Sequence, residues 1–168
     1  MRSAARRRAT ALSLVGLLVL VGCARSPRSQ LNSELADREE AIPSCEASGC
    51  ADEVAALVAA LRELPGVVKV LDPQYHPKQI TDGAAVSGGL VVETGVECRS
   101  LEEDIAELGW RSSVSPLSAV ELDCGTPGTD PVQRDAGYAF TPVRPTSEAQ
   151  LKEWGDRGTL EPRGAGAP

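Results

Sequence analysis

Aromatic side chains are the scarcest building material in this chain. Two Trp, two Tyr and one Phe stand among 168 residues. Each such side chain buries roughly 150–250 Å², so a chain this poor in them must build its core from Val, Leu, Ile and Ala. That core will be small, and the length allows one domain. Apolar residues at 42% and charged residues at 24% still permit a folded globule. The formal charge of −7 argues against a nucleic-acid partner, because such binders cluster Lys and Arg to displace counterions.

The N-terminus carries an address. Arg2, Arg6, Arg7 and Arg8 stand without an acid among them, followed by an apolar run from Ala9 to Gly22 broken only by Thr10 and Ser13. Its 14 residues fall short of the ~20 that span a bilayer. A basic start, a short apolar middle and small residues before a break make up an export signal. The run closes on Leu20-Val21-Gly22-Cys23, which resembles the lipobox of bacterial lipoproteins. The composition, rich in Ala, Arg, Gly and Val and poor in Lys, fits a high-GC bacterial genome. The resemblance implies that residues 1–22 are a signal peptide and that Cys23 becomes the acylated first residue. The mature chain would then be lipid-anchored at the cell membrane, facing the extracytoplasmic side, with membrane lipid as its partner through Cys23. The alternative is an ordinary secretory signal with an incidental Cys.

One acyl chain binds a bilayer marginally and two bind it stably, at about 0.8 kcal/mol per buried methylene. Losing residues 1–22 removes four Arg and takes the formal charge from −7 to −11. Anionic headgroups repel such a domain. It is therefore expected to stand off the surface on residues 23–44, whose Ser, Pro, Arg and Glu read as a flexible linker. Leu31, Leu35 and Ile42 with an i,i+4 pair of Glu34 and Arg38 would give that linker at most a transient helix.

Four further cysteines remain, and an even count in an exported chain reads as two disulfides. Ala51–Leu64 is predicted as a helix, with Val54, Leu57, Val58, Leu61 and Leu64 on one stripe, Asp52 and Glu53 in its first turn, and Pro65-Gly66 as its stop. Val67–Leu71 and Gly89–Cys98 are predicted strands, the second with Leu90, Val92, Thr94, Val96 and Cys98 facing the core. Ser100 and Glu103 are expected to form a capping box for a helix striped by Leu101, Ile105 and Leu108. A third strand runs from Leu117 to Cys124. Cys98 and Cys124 share the apolar phase at their strand ends, which favours a Cys98–Cys124 bridge and leaves Cys45–Cys50 to close a small loop.

The order helix, strand, strand, helix, strand over 45–124 makes a small α+β domain. It resembles a ferredoxin-like sandwich lacking its first strand, with both helices on one face of an antiparallel-type sheet. Residues 125–168 read as a Pro/Gly-rich extension. Its one short helix would be capped by Ser147, boxed by Gln150, apolar at Leu151 and Trp154, and stopped at Gly155, before a disordered end. Tyr138, Phe140 and Trp154 are expected to cover the open face of the sheet, or else to dock a partner.

No catalytic constellation is evident. His76 lies between Tyr75 and Pro77 in a predicted loop, with no Gly-x-Ser-x-Gly elbow to supply a nucleophile. Glu102, Glu103, Asp104 and Glu107 read as a solvated, dipole-matched helix face. The glycines between Gly83 and Gly89 and those at Gly125 and Gly128 read as turns, with no Walker lysine or dinucleotide fingerprint. Cys45-x4-Cys50 before an apolar helix ending in Leu-Pro-Gly-Val resembles the heavy-metal-associated domain, but the family's spacing is two residues and a strand precedes its first Cys. A disulfide is expected there instead, with no metal and no cofactor. These residues favour a non-catalytic binding or scaffolding module of the cell envelope, whose partner is an unspecified envelope protein or ligand. The alternatives are a metal or thiol carrier using Cys45 and Cys50, or a small hydrolase in which His76 meets a Ser or acids.

Overall fold

A computed structural model of the chain describes residues 26–77, 83–128 and 138–160. The fold is α+β: among the described residues there are four α-helices and one four-stranded sheet. Strands β1 (Val67–His76), β2 (Ala85–Val92), β3 (Ala119–Gly125) and β4 (Tyr138–Pro142) lie side by side in chain order. β1 and β4 pair antiparallel with their neighbours, whereas β2 and β3 run parallel. The sheet is therefore mixed rather than of antiparallel type. A parallel pair needs a crossover, and helix α3 (Glu102–Arg111) supplies it. Helix α2 (Ala51–Leu61) precedes β1, so the expected order of helix, strand, strand, helix, strand holds.

The main core fills the space between one sheet face and helices α2 and α3. Val54, Leu57, Val58 and Leu61 of α2 and Leu101 and Ile105 at α3 meet Val70, Val86, Leu90, Val92, Val120, Leu122 and Cys124 of the sheet. No aromatic residue is among the buried members of this cluster, in keeping with the composition.

Several local expectations change for physical reasons. β1 does not stop at Leu71 but passes through a bulge between Leu71 and Gln74, where Asp72 takes φ +43°, and continues to His76. Pro73 is tolerated because β1 is an edge strand. The partner at that point is Gly88, where a Cβ would come within 2.8 Å of the Leu71 carbonyl oxygen. Gly88 and Gly89 are thus strand residues that let a bulged neighbour approach, not a turn. β2 ends at Val92, and the turn Glu93–Val96, with Gly95 at φ +94°, breaks the alternation read through Cys98. Cys98 opens a 3-10 turn, Cys98–Leu101. Within it the Ser100 hydroxyl donates to the Glu97 carbonyl, so Ser100 does not cap α3; Leu101 occupies that place.

The largest departure is within the expected linker, at residues 26–44. Helix α1 spans Pro27–Glu40, N-capped by Ser26, whose hydroxyl accepts from the Ser29 amide. Leu31 and Leu35 are buried against Ala106 and Trp110 of α3 and against Leu151 and Trp154 of helix α4 (Glu148–Trp154). Most of the stretch expected as a tether, Pro27–Glu40, is a packed element. Its mean polarity hides this, because two leucines four residues apart suffice to dock one turn on a second apolar cluster. Trp154 joins that cluster and does not cover the sheet. In α4 the Ser147 hydroxyl accepts from the Gln150 amide as expected. Gln150 returns its own bond one residue earlier, accepting from the amide and hydroxyl of Thr146. The expected disordered end from 161 onward lies outside the described residues.

Candidate functional site

Helices α2 and α3 cover one face of the sheet, and register defines the other. Directly opposed residues share a face. Gln74 pairs with Ser87, which pairs with Glu121, and His76 pairs with Ala85. His76, Gln74, Ser87, Glu121 and Asp123 therefore lie on the face away from the core, with His76, Gln74 and Asp123 exposed. His76 Nε2 stands 2.7 Å from Ser87 Oγ. His76 was expected in a loop without a nucleophile; it ends β1 and has a serine partner. The signal was present, since a strand begun at Ala85 puts Ser87 on the polar phase, but the glycine-rich stretch around it reads as turn.

A Ser–His contact is the first half of a nucleophile–base pair, and the second half is a group that orients the imidazole. Among the described residues no carboxylate bonds the other ring nitrogen. Three grooves lined by described residues lie elsewhere. One of about 470 Å³ runs between α2 and α3 beside Leu160, another of about 440 Å³ lies between α2 and Tyr75, and a third of about 360 Å³ sits between α3, β4 and α4.

The cysteines pair as Cys45–Cys50 and Cys98–Cys124, with Cα separations of 4.8 and 6.1 Å. The strand expected to carry Cys98 ends at Val92, yet Cys98 still returns to the core beside β3. In the first, the Cys45 amide donates to the Ser115 carbonyl at 2.9 Å, and the Ser115 amide approaches Cys45 Sγ at 3.4 Å. The small loop thereby seats the segment before Pro116. Bridged sulfurs offer no thiolate pair to a metal. Among the described residues no group of three His, Cys, Asp or Glu could hold a metal ion.

Glu102, Glu103 and Asp104 occupy the first turn of α3 and are exposed. Glu107 pairs with Arg111 at 3.2 Å. This is a solvated face matched to the helix dipole. Tyr138 and Phe140 fall opposite Asp123 and Glu121 in the β3–β4 register. Cys23 and the residues before it lie outside the described residues.

Two groups, one buried and one half-buried, had no signal in the sequence. Arg157 is buried with its guanidinium 5.4 Å from the Trp110 ring centroid, donating to the carbonyls of Val114 and Leu117 and standing 3.6 Å from Glu39 of α1. Burial pushes its pKa below the ordinary arginine value, and Glu39 partly offsets that. Tyr75 donates to the Pro116 carbonyl at 3.1 Å. Burial first, and then the charge of Glu46, raise its pKa.

Comparison with known proteins brings no relative: no protein family, no curated protein and no solved structure matches this chain. No described helix is long and apolar enough to cross a membrane.

Proposed function

We propose that the chain is an exported lipoprotein, held on the extracytoplasmic side of the cell membrane through an acylated Cys23, and that its domain is a non-catalytic binding or scaffolding module of the envelope. The observation that carries this is the motif Leu20-Val21-Gly22-Cys23 at the end of a basic and then apolar N-terminus. Two disulfides in a small domain support it, because such bridges persist in oxidising compartments and supplement a modest core. The sheet face not covered by α2 and α3, with Gln74, His76 and Asp123 exposed on it, is the surface that a partner would meet. Cys23→Ala tests the anchor: the variant should leave the membrane fraction, and retention there would overturn the proposal.

A second reading rests on the contact between His76 and Ser87. A small hydrolase would use Ser87 as nucleophile and His76 as base, although among the described residues no acid orients the imidazole. Its test is the loss of in vivo function in both His76→Ala and Ser87→Ala; full function in either variant removes it.

A further inference from the structure

The domain begins almost at its anchor. Ser26 caps α1 and stands three residues after Cys23. A chain extends at most about 3.6 Å per residue, so Ser26 lies within about 11 Å of the acylated residue. The polar headgroup layer is itself about 5–7 Å deep on each side of a bilayer. What remains is shorter than the Debye length of about 8 Å at physiological salt.

α1 transmits that constraint to the whole domain. Leu31 and Leu35 bury it on α3 and α4, Arg38 pairs with Asp156, and Glu39 pairs with Arg144 and Arg157. Its charge is also polarised along its length. Arg28 stands in the first turn, which holds no acid, and forms no ion pair among the described residues. Glu34, Asp37, Glu39 and Glu40 follow towards the C-terminal end. Fourteen residues make a helix about 20 Å long, so the acidic end can sit well above the surface while the basic end touches it.

Resting on the lipoprotein reading, we infer that the start of α1 is the membrane-facing surface of this protein. The domain is seated on the headgroups by that end rather than standing off on a linker. The acidic C-terminal end of α1 is then carried away from the lipid, and the sheet face with His76 and Ser87 lies two layers from α1, on the far side of α3.

The test uses the full acylated chain in vesicles of phosphatidylcholine and phosphatidylglycerol with an acceptor dye on the headgroups. A fluorescent unnatural residue replaces exposed Gln30 in one preparation and exposed Gln74 in another. Transfer from position 30 should be several-fold more efficient than from position 74. Inserting about 16 Gly/Ser residues between Arg25 and Ser26, an r.m.s. span of about 20–24 Å, should erase most of the difference. Equal transfer from both positions, stronger transfer from position 74, or indifference to the insertion overturns the seating while the anchor stands. A chain that does not stay on the vesicles, with Cys23 unmodified by mass, overturns the lipoprotein reading and the seating with it.

Discussion

The guanidinium of Arg157 lies over the indole of Trp110 and, from that position, holds two backbone carbonyls of one segment and a carboxylate of another. Val114 and Leu117 belong to the segment entering β3, Glu39 belongs to α1, and Trp110 to α3. One side chain near the end of the described structure thus locks its beginning onto its middle. Hydrogen bonds to a charged group contribute about 1.5–3 kcal/mol each, and a carbonyl left buried and unpaired adds a desolvation cost. Arg157→Met should therefore cost about 2–4 kcal/mol, read as a lower urea midpoint. Arg157→Lys should recover little of it, because an ammonium cannot reproduce the planar fork over the ring.

The docking of α1 is tested at Leu35, which is fully buried. Leu35→Ala should cost about 2–4 kcal/mol, whereas a residue in a flexible tether would cost nothing. Trp110 and Trp154 are the only tryptophans, and both line the cluster that Leu35 closes. The emission of the variant should shift to the red as α1 loosens, and an unchanged spectrum with unchanged stability would return α1 to the status of a linker.

Gly109 gives a prediction opposite to helix propensity. Alanine is ordinarily about 1 kcal/mol better than glycine inside a helix. Here a Cβ would overlap a Val143 methyl and meet Val120 Cγ2 at 3.2 Å. Gly109→Ala should destabilise by about 1–3 kcal/mol through overpacking. Adding Val143→Ala should restore part of the loss, and a double-mutant cycle in thermal unfolding measures that coupling.

The two bridges should differ in worth. Cys98–Cys124 spans 26 residues and Cys45–Cys50 spans 5. Chain-entropy arguments give about 3.5 kcal/mol for the longer loop and about 2 for the shorter. The Cys98→Ser/Cys124→Ser pair should thus lower the unfolding midpoint more than Cys45→Ser/Cys50→Ser. Free-thiol titration of the unfolded, unreduced mature protein should find none.

Tyr75 sets an alkaline limit. Its folded pKa is raised above the unfolded value of about 10, so the folded state holds this proton more tightly. The associated stability is complete below about pH 10 and is lost as pH rises through the folded pKa. Tyr75→Phe should flatten the decline of stability above about pH 10 while lowering stability at neutral pH through loss of the bond to Pro116.

What the residues disclosed follows from the range of each signal. The stripe of α2, the apolar phase of β3 and the capping of α4 depend on neighbours a few positions apart, and all three appear where the pattern puts them. The strand ends did not. The bulge in β1 is stabilised by Gly88 across the sheet, and the alternation after Val92 continues in sequence although Gly95 turns the chain away. α1 was missed because its stability comes from tertiary burial of two leucines, not from its own composition. At the candidate site, the Cys98–Cys124 pairing was read from a strand phase that the chain leaves at Val92, the meeting of His76 with Ser87 depends on a strand hidden in a glycine-rich stretch, and the role of Arg157 depends on a chain crossing that no local pattern encodes.

The lipid anchor is tested most directly by intact-mass spectrometry of the protein extracted from its own membranes. The account predicts a chain that begins at Cys23, lacks residues 1–22, and is heavier than its sequence by a diacylglycerol on that sulfur. A chain still carrying residues 1–22, or one with a bare thiol at Cys23, would contradict it.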